Sequence, residues 1–179
     1  LPLLVYLLSH QLVHRHHPWR VPKEICIALI FCLVTALAPV VLVLPADQRI
    51  FHLMLGTGLD RLEPLWVPLG LFGLLCFTNL ALISAWETGV DIRHGQTSLA
   101  LQFSKRLNLI HALPWLMTVL GLLAALGTHS LDREAGLCTA ASGLLLDLLD
   151  RLEPRIGREA ARTFVDLTLL TPAVALLLS

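Results

Sequence analysis

Charge is scarce in this chain. Only 15% of its 179 residues are Asp, Glu, Lys or Arg, and these cancel to a formal net charge of zero. A water-soluble domain of this size carries about a quarter charged residues. With 56% hydrophobic residues and a mean hydropathy of +0.75, the chain has too little polar surface to cover itself in water. Lipid is the expected solvent. Neutrality also removes the basic bias that binding to nucleic acid would require. Cysteine is scarce too: Cys26, Cys32, Cys76 and Cys138 all fall inside apolar stretches, and none forms a CxxC pair. That pattern argues for small buried hydrophobes and against a disulfide framework or a thiolate metal site. The opening run from Leu1 has no positively charged stretch before it and no small-residue cleavage site after it. It reads as the cut end of a membrane span rather than a signal peptide.

What the chain has in quantity is long apolar runs. A helix needs about 20 apolar residues to cross the hydrocarbon core of a bilayer. Three segments reach that length: Cys26 to Leu44, Leu65 to Trp86 with Pro68 inside it, and Leu107 to Gly127. The last holds His111 as its only ionisable residue, and Pro114 as the site of an expected kink. Three weaker candidates are Leu1 to Leu8, Leu131 to Leu149, and Thr163 to Ser179 with Asp166 inside it. The expected fold is therefore all-α: one membrane-embedded domain over 1–179, a polytopic transmembrane bundle of about six segments, the first partial.

Loop charge supports that count. The loops at 10–25, 86–106 and 150–163 hold ten of the 13 Lys and Arg residues, and the intervening loops hold only Arg49, Arg61 and Arg133. Positive charge accumulates on the cytoplasmic side of a membrane protein, so these three loops are expected there. The hexapeptide LDRLEP occurs at Leu59–Pro64 and again at Leu149–Pro154, but the flanking residues differ. Two similar helix ends closed by proline explain it better than a domain repeat.

Four features could carry chemistry. Asn79, Ile83, Glu87 and Asp91 recur every four residues and share one face of a helix. Glu87 and Asp91 would form adjacent carboxylates at the mouth of a span, with Asn79 two turns, about 12 Å, deeper. Paired carboxylates suit Mg²⁺, which commonly bridges one or two of them to substrate phosphates. Charged residues where a helix leaves the membrane are also ordinary, and a solvated helix exit explains the pair equally simply. Asn79 either faces a cavity or joins two helices. The second feature is the stretch His10 to Glu24, with His10, His14, His16 and His17. It reads as an anion or metal site, or as a headgroup-level loop anchored by Trp19 and Arg20. Third, Gly95 lets the chain turn, with Arg93, His94, Lys105 and Arg106 supplying positive charge nearby. Fourth, Arg162 and Asp166 stand four residues apart and are expected to pair with each other.

The stretch Glu87-x-x-x-Asp91, followed by Gly95-Gln96-Thr97-Ser98, resembles the second acidic motif of the UbiA superfamily of intramembrane prenyltransferases. Tyr6 to Glu24 looks like that family's segment between its fourth and fifth helices, which would make the six segments helices four to nine. The resemblance covers nearly all of this chain and about two-thirds of a family member. It implies transfer of a prenyl group from a prenyl diphosphate to a lipophilic acceptor, with Mg²⁺ as cofactor. It also assigns Glu87 and Asp91 as metal ligands, Arg15, Arg93 and Lys105 as diphosphate contacts, and Asn79 as part of the pocket. The departures are Glu87 in place of the usual Asp, fewer carboxylates than many members carry, and a first acidic motif that would lie upstream of Leu1. Two other function classes fit the residues. One is a membrane protein that keeps the bundle without the reaction. The other is a small metal or solute transporter using His10, His14, His16 and His17 with His94.

Overall fold

The computed structural model describes residues 23–43, 65–93, 98–103, 105, 107–127 and 130–171. Among these every regular element is a helix. In chain order they are α1 (Lys23–Val43), α2 (Trp66–Trp86), α3 (Thr88–Arg93), α4 (Leu99–Gln102), α5 (Leu107–Ala125), α6 (Ser130–Ile156) and α7 (Arg158–Thr168). The expected runs at Leu65–Trp86 and Leu107–Gly127 correspond to α2 and α5 almost residue for residue. Leu1–Leu8 and the first LDRLEP copy lie outside the described residues. Among the described residues two helices, α2 and α5, are long and apolar enough to cross a membrane, with mean hydropathies of 1.9 and 1.7.

Proline does not break either helix. Pro68 is the third residue of α2, within the first turn, where an N–H would have no intrahelical partner anyway. Pro114 is buried inside α5, which continues past it. One turn on, the Thr118 hydroxyl donates to the Pro114 carbonyl at 3.0 Å. Thr78, Thr139 and Thr163 each donate in the same way to the carbonyl four residues back, at 2.9, 2.7 and 3.2 Å. A hydroxyl satisfied by its own helix needs no water.

Helix α2 is the hub, touching α1, α5, α6 and α7. It buries Leu75, Ala81, Leu82 and Trp86 against Ile110 and Met117 of α5, Leu146 of α6, and Ala161 and Val165 of α7. Helices α5 and α6 form an antiparallel hairpin that is small and polar inside and large and apolar outside. Thr118 and Gly121 of α5 are buried against Gly136, Ala140 and Gly143 of α6. Leu116, Val119, Leu122 and Leu123 of α5, and Leu137, Leu144, Leu145 and Leu148 of α6, are exposed. That distribution is the reverse of a water-soluble core and matches helices whose backbones approach through small residues. A Cβ on Gly121 would stand 2.5 Å from the Ala140 nitrogen, and one on Gly136 would stand 2.5 Å from the Ala125 nitrogen.

The α6–α7 corner turns on a single residue. Gly157 has φ 83°, a backbone region that side-chain-bearing residues rarely enter. Its N–H donates to the Glu153 carbonyl at 2.9 Å and its carbonyl accepts from Ala161 N–H at 3.0 Å, so it closes one helix and opens the next. Arg158 and Glu153 pair across the corner at 3.6 Å. Further along, the Ser142 hydroxyl donates to the Thr168 carbonyl at 3.1 Å and shares a 2.6 Å hydrogen bond with the Thr171 hydroxyl.

Candidate functional site

A group of interacting polar residues lies at one end of the bundle, where α1, α4, α5 and α7 begin and α2 and α6 finish. Glu24, at the start of α1, accepts from the backbone N–H of Leu99 at 3.2 Å, and Ser84 Oγ accepts from that of Ala100 at 3.1 Å. These bonds satisfy two of the orphan donors that a helix leaves at its start, and they fold α4 back against α1 and α2. Trp86 reaches Asp150, and Glu87 reaches Arg162. Residues from all three arginine-rich loops therefore meet in space.

Glu87 interrupts the helix: α2 ends at Trp86, and α3 starts at Thr88 after one turn residue. The sequence there is Thr88-Gly89-Val90, three weak helix formers in a row. The Thr88 hydroxyl bonds back to the Ala85 carbonyl at 2.8 Å. The hydrogen bonds nonetheless keep the helical spacing. Glu87 N–H donates to the Ile83 carbonyl at 3.0 Å, and Asp91 N–H to the Glu87 carbonyl at 3.0 Å. The two carboxylates are thus one turn apart, as the spacing predicts, but they are not a solvated exit. Asp91 is 3% exposed, and the Glu87 side chain is 21% exposed with its carboxylate 2.6 Å from Arg162.

Arg162 and Asp166 do not pair with each other. Each reaches across to α2: Arg162 to Glu87, and Asp166 to Asn79, whose Nδ2 donates at 3.1 Å. The facing helix offers each a partner, and the two contacts form a short polar ladder joining α7 to α2. Asn79 is buried, and its Oδ1 has no hydrogen-bond partner among the described residues. Beside the ladder lies an open groove of about 650 Å³ lined by Glu159, Arg162, Thr163, Asp166, Leu167 and Leu170. It is charged along part of its length and apolar along the rest.

The other predicted cations are exposed or lie outside the described residues. Arg93 is exposed and folds back to donate from Nε to the Gly89 carbonyl at 3.1 Å, and Lys105 is exposed. Arg15 lies outside the described residues, as do His10, His14, His16, His17, His94 and Arg106. Arg162, which the sequence offered only as half of an ion pair, is the cation paired with Glu87.

Among the described residues no group of three or more His, Cys, Asp or Glu side chains could hold a metal by itself. Two carboxylates one turn apart suit a hard cation that brings its remaining oxygen ligands with it, as Mg²⁺ does with phosphate. In that limited sense Glu87 and Asp91 fit the ion that the sequence motif implies.

A second polar cluster was not legible as a site. Asp150 of α6 accepts from Trp86 Nε1 at 2.9 Å through one oxygen and meets His111 Nδ1 of α5 at 2.7 Å through the other. It ties three helices together. The signal that could have found it is His111 itself, since an ionisable residue inside an apolar span calls for a partner. The antiparallel hairpin places Asp150 opposite. Compared with protein-family models, with curated proteins and with solved structures, the chain matches none of them.

Proposed function

We propose that this protein is an integral membrane protein of the prenyltransferase type, moving a prenyl group from a prenyl diphosphate to a lipophilic acceptor. The bilayer assignment, with α1, α6 and the segment Thr163–Ser179 as further spans and the arginine-rich end on the cytoplasmic side, is supported by the exposed leucine surface of α5 and α6. Contiguous exposed apolar area on this scale marks contact with lipid or a partner. The observation that carries the enzymatic reading is the largely enclosed Glu87 one turn from the buried Asp91, with the Arg162 guanidinium against Glu87.

In the reaction the allylic C–O bond breaks and its electron pair stays on the diphosphate. The allylic carbon then bonds to the acceptor, which loses a proton. Glu87 and Asp91 would hold Mg²⁺, which supplies positive charge to the diphosphate when bound. Arg162 offers a planar fork of donors matched to phosphate oxygens. Its groove passes from charged residues to Leu167 and Leu170, which suits a ligand with an anionic head and an apolar tail.

One observation favours a second reading. Arg162 already neutralises Glu87 at 2.6 Å, as expected of a protein that keeps the bundle and has given up the reaction. The deciding experiment uses the full-length natural protein in lipid nanodiscs with geranylgeranyl diphosphate and a lipid extract of the native membrane as the source of acceptor, with and without Mg²⁺. Mg²⁺-dependent binding lost in Asp91→Asn, together with release of diphosphate by the native protein, supports the enzyme. Mg²⁺-dependent binding without diphosphate release supports the second reading. Binding indifferent to Mg²⁺ and to Asp91→Asn rejects the role given to the carboxylates.

A further inference from the structure

The geometry points to a second site on the flank of the bundle: a proton-accepting imidazole at His111, oriented by Asp150, for the acidic hydroxyl of a lipophilic compound such as a phenol. It goes beyond the prenyl-transfer reading and rests on none of its residues.

Indole Nε1 can only donate, so Asp150 Oδ1 is an acceptor for Trp86, and a carboxylate accepts through its second oxygen as well. His111 Nδ1 therefore carries the hydrogen of the 2.7 Å contact. In the neutral ring that leaves Nε2 as a bare lone pair, the tautomer selection that a carboxylate imposes on a basic histidine. The exposures divide the roles. The Asp150 side chain is 12% exposed and the His111 side chain 43%, so the orienting group is enclosed and the ring it holds is open to the outside.

The surroundings name the class of ligand. On the helix face that His111 occupies, exposed Trp115 lies one turn along and exposed Asn108 one turn before. A compound reaching Nε2 meets an aromatic ring beside it, and its polar atom must be a donor. An acidic hydroxyl on an apolar body meets both demands. On proton transfer the O–H bond breaks, its electron pair stays on oxygen, and the proton binds Nε2. The imidazolium so formed is balanced by the Asp150 carboxylate, which Trp86 holds in place.

The probe is a 4-nitrophenol bearing a dodecyl chain, added to the full chain in phosphatidylcholine nanodiscs, with ionisation read from the nitrophenolate absorbance band. The native protein should raise nitrophenolate saturably above empty discs. His111→Asn is the discriminating variant, because its amide keeps a donor toward Asp150 while Nε2 is gone. It should lose the saturable component while unfolding at the same denaturant concentration as the native chain. Asp150→Asn should weaken ionisation by about tenfold or more, since the charge-assisted bond to the ring is lost. Saturable ionisation surviving in His111→Asn would overturn the proposal, and so would an unchanged signal in Asp150→Asn.

Discussion

Replacing Gly121 with alanine measures how closely α5 and α6 approach. The added methyl carbon would lie 2.5 Å from the Ala140 nitrogen, 2.6 Å from the Gly136 oxygen and 3.0 Å from the Ala140 Cα. Ordinary contact begins at 3.4 Å, so the two helices must part by about 0.9 Å. All three obstructing atoms are backbone, and no side chain can swing aside to spare the hairpin. Overpacking of this kind costs about 1–3 kcal/mol, and rigid obstruction puts the case toward the upper end. Removing a helical glycine returns up to about 1 kcal/mol, leaving a net loss of about 2 kcal/mol. The assay is reversible unfolding in mixed micelles under increasing dodecyl sulfate, with Gly70→Ala as the control. Gly70 is also helical, but a Cβ there meets nothing within 4 Å, so that variant should gain about 0.5–1 kcal/mol. Combining Gly121→Ala with Gly136→Ala should cost less than the two separately, because helices parted for one methyl have room for the other. A Gly121→Ala protein as stable as Gly70→Ala would refute the close approach.

Three further outcomes follow from the polar contacts and the corner. Trp86→Phe removes the donor to Asp150 while keeping an aromatic ring in the core, and should cost about 1–2 kcal/mol in the same unfolding assay. Arg162→Met should destabilise more than the double change Glu87→Gln with Arg162→Met, since the single change leaves a half-buried carboxylate unpaired. A coupling of about 1 kcal/mol is expected, and strict additivity in a double-mutant cycle would count against the ion pair. Gly157→Ala meets no steric obstacle, yet should lose about 1–3 kcal/mol through backbone strain alone.

Length and hydropathy made α2 and α5 legible because both properties are local. The expected segment at Leu131–Leu149 grew at both ends into α6, since charges at Asp132 and Arg151 do not stop a helix whose buried stripe of Gly136, Ala140 and Gly143 continues. Spacing alone brought Glu87 and Asp91 to one face, because a helical repeat needs only the chain itself. Whether that face looks into the protein depends on α7, which lies more than 70 residues away. Arg162 and Asp166 misled for the same reason. At four residues apart they suit each other, and only the opposing Glu87 and Asn79 draw them away. Asp150 sat in a repeated hexapeptide that suggested a helix terminus, whereas its role comes from Trp86 and His111 on two other helices.

One glycine has an influence far from its own position. Each residue added to or removed from a helix turns everything after it by about 100°. The angular phase of α7 is therefore fixed at Gly157, where α6 hands over to it without a spacer. A single insertion at that corner would swing Arg162 off Glu87 and Asp166 off Asn79 together, unfastening both rungs without altering any of the four side chains. The hand-over thus acts as a clocking pin for the last helix.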